Sequence, residues 1–178
     1  DVVGDLYYEM HEEKWEVYVV TEIDKTAWPS GTGIIKAGLH PDKITEYQKN
    51  HGEKWTDFLL KNFKQAIAEY EKLRRQIDES TESISTELTA QELSLREKAA
   101  SFVGNCSVKV GDIVSFPVFQ LHSLQHGIKV IEFQTPHYER LIVMFSQKVL
   151  TQKHWDTADA LSKMLPEIYE RPELERLH

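Results

Sequence analysis

Hydrophobic and polar positions change their period twice along the chain. Over residues 2–39 the apolar residues come in short runs: Leu6-Tyr7-Tyr8, Trp15-Glu16-Val17-Tyr18-Val19-Val20 and Ile34-Ile35-Lys36-Ala37-Gly38-Leu39. These runs are rich in β-branched and aromatic side chains and are broken by polar turns, which predicts strands. Trp28-Pro29-Ser30-Gly31-Thr32-Gly33 is a loop by its Pro and Gly content. From residue 40 to 103 the period lengthens. Pro41-Asp42 marks a helix start. Apolar residues at Trp55, Leu59, Phe63, Ala66, Tyr70, Leu73 and Ile77 then advance in steps of three and four, the stripe of one helical face. The polar run 78–87 predicts a linker. Thr89-Ala90-Gln91-Glu92 has the form of a capping box, with a second helix running from there to about Ala100.

Residues 106–150 return to strand character. Ser107-Val108-Lys109-Val110 leads into a turn at Gly111-Asp112, and further strands are predicted at Ile113 to Phe116, Ile128 to Phe133 and Leu141 to Phe145. Cys106 opens the first of these as a small buried apolar residue. His154-Trp155-Asp156-Thr157 precedes a helix from Ala158 to Leu165, with Asp156 or Thr157 as cap. Pro166 and Pro172 punctuate an acidic tail. No repeat of fixed period is present. Strands on both sides of a helical insertion predict one β-sandwich or barrel built from both ends of the chain.

Composition narrows the function classes. The 178 residues are of single-domain length and can bury a real core. Lys and Arg number 21 against 29 Asp and Glu, a net charge of −8. That balance argues against nucleic acid, which needs a basic footprint, and against an anionic membrane surface. One cysteine excludes an intramolecular disulfide and makes the cytoplasm the expected compartment. No apolar run approaches the roughly 20 residues of a membrane span, and no signal peptide is expected before the first strand.

Two clusters carry candidate chemistry. The first is Glu9-Met10-His11-Glu12-Glu13-Lys14-Trp15-Glu16. Residues two apart on a strand share a face, so Glu9 and His11 can point the same way, and a turn at Glu12-Glu13 lets Glu16 join them from the next strand. Carboxylate plus imidazole is a ligand set for a divalent first-row metal. The plain alternative is a solvated hairpin tip. The second cluster runs from Gly111-Asp112 through Phe116-Pro117 to Phe119-Gln120-Leu121-His122. Its strand ends in a proline, which cannot donate to a sheet ladder, and His122 follows after a short bend.

Taken together the clusters resemble the two motifs of the cupin superfamily. Gly111, Pro117 and His122 match the second motif in spacing, with Phe119 where the family has Gly and His126 where it has Asn. His11 and Glu16 match the first, with Glu9 in place of its first His. Within the cupins the chain is similar to type I phosphomannose isomerases, through Glu9-Met10-His11 for Gln-x-His and Lys14-Trp15-Glu16 for Lys-x-Glu. Val110-Gly111-Asp112, the Pro117-to-His122 segment, Glu132-Phe133-Gln134 and Arg140 continue the likeness.

The resemblance implies a mainly-β fold, a cupin double-stranded β-helix or jelly-roll barrel. It forms a single domain over 1–178, with a helical insertion at 41–100 and a helical tail at 155–178. It implies one divalent ion held by Glu9, His11, Glu16 and His122, with Zn first and Mn, Fe or Ni as alternatives. It implies aldose–ketose isomerisation of a small sugar or sugar phosphate through an enediol. Lys14 would bind sugar or move its protons, and Arg140 would stabilise negative oxygen or bind a phosphate, against the plain alternative of a surface ion pair. Glu132 is the candidate base if its face is inward and buried, and a solvated edge residue if it is outward. A homodimer is the implied oligomer, since cupins often pair through outer strands. A cupin that binds a sugar-like ligand without turnover, or regulates another protein, remains as a second class, and an iron-dependent oxygenase as a third. Asp112 is expected as a turn residue and His137 as an exposed loop residue.

Overall fold

The computed structural model describes residues 7–81, 83–145 and 153–167. Eight strands and four helices follow in the order β1 Tyr7–Met10, β2 Glu16–Ile23, β3 Gly33–Leu39, α1 Pro41–His51, α2 Trp55–Glu79, α3 Thr86–Ala100, β4 Val103–Val108, β5 Ile113–Phe116, β6 His122–Ser123, β7 Ile128–Gln134, β8 Leu141–Phe145 and α4 Thr157–Lys163, with one turn of 3-10 helix joining α1 to α2. Helix outweighs strand among the described residues, so the mainly-β class expected from the sequence is corrected. The insertion expected at 41–100 is helical over most of its length, and α2 alone is 25 residues long, which outweighs the short strands.

The strands form two antiparallel sheets, of order β4-β3-β6-β1-β8 and β5-β2-β7. No strand of one sheet is hydrogen-bonded to a strand of the other, so the described residues do not close into a barrel. The sheets share an apolar layer. Tyr18 and Val20 of β2, Val114 and Phe116 of β5 and Ile128 of β7 meet Ile35 and Ala37 of β3 and Cys106 and Val108 of β4. The other face of the larger sheet packs on the helices: Tyr8, Met10, Leu39, Val103 and Val143 meet Leu59, Phe63, Ile67 and Tyr70 of α2 and Ala160 and Leu161 of α4. The larger sheet is therefore covered on both faces. Its strands carry apolar residues on one side and, at β1 and β6, polar ones on the other.

The helices α1 to α3 occupy the connection between β3 and β4, which are antiparallel neighbours. A bulge lets the chain leave the sheet toward the helices. Three β3 steps, from Lys36 to Leu39, span the register that two β4 steps cover, with Gly38 at φ 58°. One extra residue reverses which face the side chains take. Ile35 and Ala37 thus face the small sheet while Leu39 faces the helices. Pro41 sits in the first turn of α1, as the Pro41-Asp42 signal predicts. The predicted stripe of α2 is buried from Leu59 to Ile77, with Ile67 added to it.

The capping box expected at Thr89 is not formed. α3 is capped four residues earlier, by Ser85, whose side chain accepts from Leu88 N at 3.2 Å. Glu92 is freed for another bond and accepts from the Tyr70 hydroxyl at 2.8 Å, buried between α2 and α3. The helix predicted from Ala158 forms, starting one residue earlier. α4 covers Thr157–Lys163 with Asp156 before it, but Asp156 makes no side-chain cap and instead accepts from Ile142 N at 2.9 Å. Residues 168–178 of the expected tail lie outside the described residues. No described helix is long and apolar enough to cross a membrane.

Candidate metal centre

Strand pairing brings the polar side of β1 and β6 against the inner side of β2. Glu9 is the register partner of His122 across the β1–β6 pair, and directly opposed residues share a face. Glu16 opens β2 in the facing sheet, between Phe116 of β5 and Gln134 of β7. His11 lies one residue past the end of β1, in the connection to β2. Glu9, His11, Glu16 and His122 are all buried, and each offers one ligand atom within 4.8 Å of the others.

The imidazoles are oriented from behind. His122 Nδ1 lies 3.0 Å from the Gln120 carbonyl, and His11 Nδ1 lies 3.0 Å from the Glu139 carbonyl. A carbonyl only accepts, so each Nδ1 carries the proton, and each Nε2 faces the cluster. His122 Nε2 stands 3.0 Å from Glu16 Oε2, and its ring stacks on Phe116 with centroids 4.5 Å apart. His11 Nε2 stands 3.1 Å from Glu16 Oε1 and 3.5 Å from Glu9 Oε2. It is buried without a hydrogen-bond partner. An orphaned buried nitrogen turned toward two carboxylates matches the donor set of a first-row divalent cation, and the residues fit one.

Electrostatics divide the carboxyls by position. Burial works against charge on Glu16, but the close imidazoles of His11 and His122 and the Lys14 ammonium hold its pKa far below the carboxylate range. Burial also works against charge on His122, and the Glu16 and Glu9 carboxylates overcome it and raise its pKa above 6.5. The Tyr18 hydroxyl donates to Glu16 Oε2 at 2.8 Å. Burial and the negative charge of Glu16 and Glu9 push the Tyr18 phenol well up.

The structure places all three predicted non-ligand residues at this cluster. Lys14 is buried, with Nζ 2.6 Å from Glu16 Oε1 and 3.4 Å from Gln134 Oε1. Arg140 Nε lies 2.7 Å from Glu9 Oε2, on a side chain that is half exposed and stacked over Tyr7. The ion pair foreseen as an alternative for Arg140 therefore exists, but it is made at the site. Glu132 sits opposite Tyr18 in the β2–β7 register, on the inward side, and yet it is exposed. Neither sequence alternative described it: the strand face is inward, and the far half of β7 is uncovered. The cover it does have raises its pKa first, and the neighbouring Glu16 carboxylate adds to the rise.

Several contributing residues escaped the sequence. Tyr18 carried a readable signal, two positions from Glu16 on one strand and so on the same face. Gln120 and Glu139 carried none, since one acts through its carbonyl and the other across more than a hundred positions. His126 is exposed and outside the cluster, its carbonyl accepting the Trp28 indole at 2.7 Å. Asp112 is the turn residue expected, accepting from Lys109 N at 2.8 Å. His137 is exposed and pairs with Glu13.

The fold resembles that of known sugar isomerases. It superposes on a zinc-bound mannose 6-phosphate isomerase with a TM-score of 0.54 and 10% identity, over 91% of this chain and 51% of that one. An arginine-to-alanine variant of the phosphomannose isomerase from Salmonella typhimurium gives 0.55 and 10%, over the same 91% and 51%. A lysine-to-alanine variant of the same protein gives 0.53 and 9%, again over 91% and 51%. At such identities the likeness is one of fold. The chain spans about half the length of these isomerases. No known family model and no curated protein sequence matches it.

Proposed function

We propose that the chain is a metal-dependent aldose–ketose isomerase, an intramolecular oxidoreductase of the mannose-6-phosphate isomerase kind. The convergence of Glu9, His11, Glu16 and His122 on one buried point carries this reading, and the isomerase-like fold supports it. In this reading residues 1–178 are one cupin domain, a double-stranded β-helix with a helical insertion at 41–100 and a helical tail at 155–178. The four residues hold one divalent ion, Zn before Mn, Fe or Ni. The substrate is a small sugar or sugar phosphate. The protein works in the cytoplasm as a homodimer, without nucleic acid or membrane. Cys106, buried and the one cysteine of the sequence, has no second cysteine to pair with in the chain, which supports a reducing compartment.

A bound ion would supply Lewis acidity to two neighbouring sugar oxygens. The proton transfers fall to side chains. Glu132 stands on the open side with its pKa raised by burial and by the Glu16 carboxylate, which makes it a stronger base than an ordinary carboxylate. It takes the proton from C2 of the aldose and returns it to C1, so that one C–H bond breaks and another forms. The hydroxyl proton passes from O2 to O1, and Lys14, held beside Glu16, is placed to carry it. Arg140 stabilises the negative charge that develops on oxygen, or holds a phosphate.

The test uses purified protein loaded with zinc, and with manganese, iron or nickel in turn. Elemental analysis is expected to find about one ion per chain, and His122→Ala to lose it. A panel of aldoses and their phosphates, mannose 6-phosphate included, is followed for ketose and for deuterium uptake from D2O at the exchanging carbon. A loaded protein that produces neither overturns the isomerase reading and leaves a cupin binding module.

A further inference from the structure

We propose that Glu139 is a positioning residue that sets both the tautomer of His11 and the place of Lys14. His11 and Lys14 lie in the connection between β1 and β2, where no ladder of sheet hydrogen bonds fixes them. A second segment, residues 135–140, clamps this connection instead. Thr135 exchanges bonds with Trp15: its hydroxyl accepts from Trp15 N at 3.0 Å, and its amide donates to Trp15 O at 3.1 Å. Glu139 does the rest. Its Oε1 accepts from Glu13 N at 2.7 Å and from Lys14 N at 2.8 Å. Its carbonyl accepts from His11 Nδ1 at 3.0 Å, and its Oε2 lies 3.7 Å from the same nitrogen.

One side chain thus satisfies two consecutive amides of the turn, which a carboxylate does strongly. The same residue's backbone is held in place to fix the proton on the far nitrogen of His11. The consequence at the site is specific. With Nδ1 bonded to the Glu139 carbonyl, His11 turns Nε2 toward Glu9 and Glu16. With the turn held, the Lys14 ammonium reaches Glu16 Oε1. The next residue, Arg140, reaches Glu9. The dipeptide Glu139-Arg140 therefore governs three side chains of the cluster without offering a ligand itself.

The size of the affinity effect rests on the metal reading above, whereas the tautomer effect does not. Glu139→Ala and Glu139→Gln are compared with the parent by two measurements. Long-range ¹H–¹⁵N NMR of the metal-free protein reports the His11 tautomer, and chelator competition reports zinc affinity. The parent is expected to show a single Nδ1-protonated His11. Glu139→Ala is expected to show a mixture of tautomers and to bind zinc about 10–100-fold more weakly, the usual cost of losing a partner behind a ligand. Glu139→Gln keeps a carbonyl oxygen for the two amides and is expected to stay close to the parent in both. A parent that binds no zinc, with a tautomer that still shifts in Glu139→Ala, overturns the metal reading and supports this one. An unchanged tautomer in Glu139→Ala overturns the proposal, as does a glutamine variant that fails as badly as alanine.

Discussion

Tyr18 donates its hydroxyl proton to Glu16 Oε2, the same oxygen that lies 3.0 Å from His122 Nε2. The two residues are neighbours on one face of β2. The pairing is therefore built into the strand and does not depend on loop placement.

Removing that hydroxyl tests how much of Glu16's charge the protein itself supports. Tyr18→Phe keeps the ring in the inter-sheet layer and leaves a buried carboxylate one donor short. A hydrogen bond to a charged group contributes about 1.5–3 kcal/mol, and the metal-free variant is expected to lose stability in that range. Urea unfolding measures it. A variant as stable as the parent would show that Glu16 does not need this donor.

The pH dependence of the metal-free protein follows from His122. Its pKa is raised above 6.5 in the folded state, so folding binds a proton there. The stabilisation is complete below the ordinary value and is lost as pH rises through the raised one. Glu16 has the opposite sense. Its stabilisation is present above its ordinary value of 4.5 and is lost only as pH falls through a much lower folded value. Tm is therefore expected to decline on the alkaline side of pH 6.5 without metal. With zinc the slope reverses, because the ion needs neutral imidazole and competes with the proton. Parallel Tm-against-pH curves with and without zinc would contradict this.

Phe119 offers a backbone test. It is the one described non-glycine residue at positive φ, 63°. Three main-chain bonds impose this: Phe119 N to His11 O, Leu165 N to Phe119 O and Gln120 N to Pro117 O. Phe119→Ala and Phe119→Gly lose the same ring, but only alanine keeps the strain of the left-handed region. The glycine variant is expected to be the more stable by about 1 kcal/mol, the reverse of the usual order within strands and helices. Equal midpoints in denaturant would mean that the loop relaxes when the ring is gone.

The bulge that sends the chain from β3 toward the helices depends on Gly104. A Cβ there would stand 2.7 Å from the Ala37 carbonyl oxygen and 3.0 Å from that of Leu39. Both are backbone atoms of the neighbouring strand and cannot swing aside. Gly104→Ala is expected to destabilise the fold by about 1–3 kcal/mol, as overpacking does. An unchanged thermal midpoint would show that the β3–β4 bulge is free to shift.

Particular elements show what was legible in the sequence. The stripe of α2 was, because burying a helix face on a sheet imposes its period whatever the partner. The strands β5 and β8 were, because alternating and continuous apolar runs bounded by turn residues admit few other conformations. The four clustered side chains were approached through motif spacing, although His11 stands past the end of β1, not on it. The start of α3 was missed because Ser85 and Thr89 both satisfy a local capping rule, and the Tyr70–Glu92 bond that separates them is tertiary. The openness of Glu132 was illegible for the same kind of reason. Strand alternation fixes which side a residue faces but not whether the opposing sheet reaches far enough to cover it.

The bond between His122 and Glu16 spans 106 positions, with three helices in between. The chain is synthesised from its N-terminal end, so Glu9, His11 and Glu16 leave the ribosome long before the residue that completes their set. Until β6 inserts between β1 and β3, the three earlier residues of the set lack their fourth. In the reading proposed above, an ion taken up afterwards would join β1 and β2 to β6 and act as a clasp between the two ends of the helical insertion. Because closing a long loop costs only about 0.6 kcal/mol more for each doubling, the length of that delay weakens the clasp little. In that reading, the full four-residue set exists only once the chain has passed residue 122.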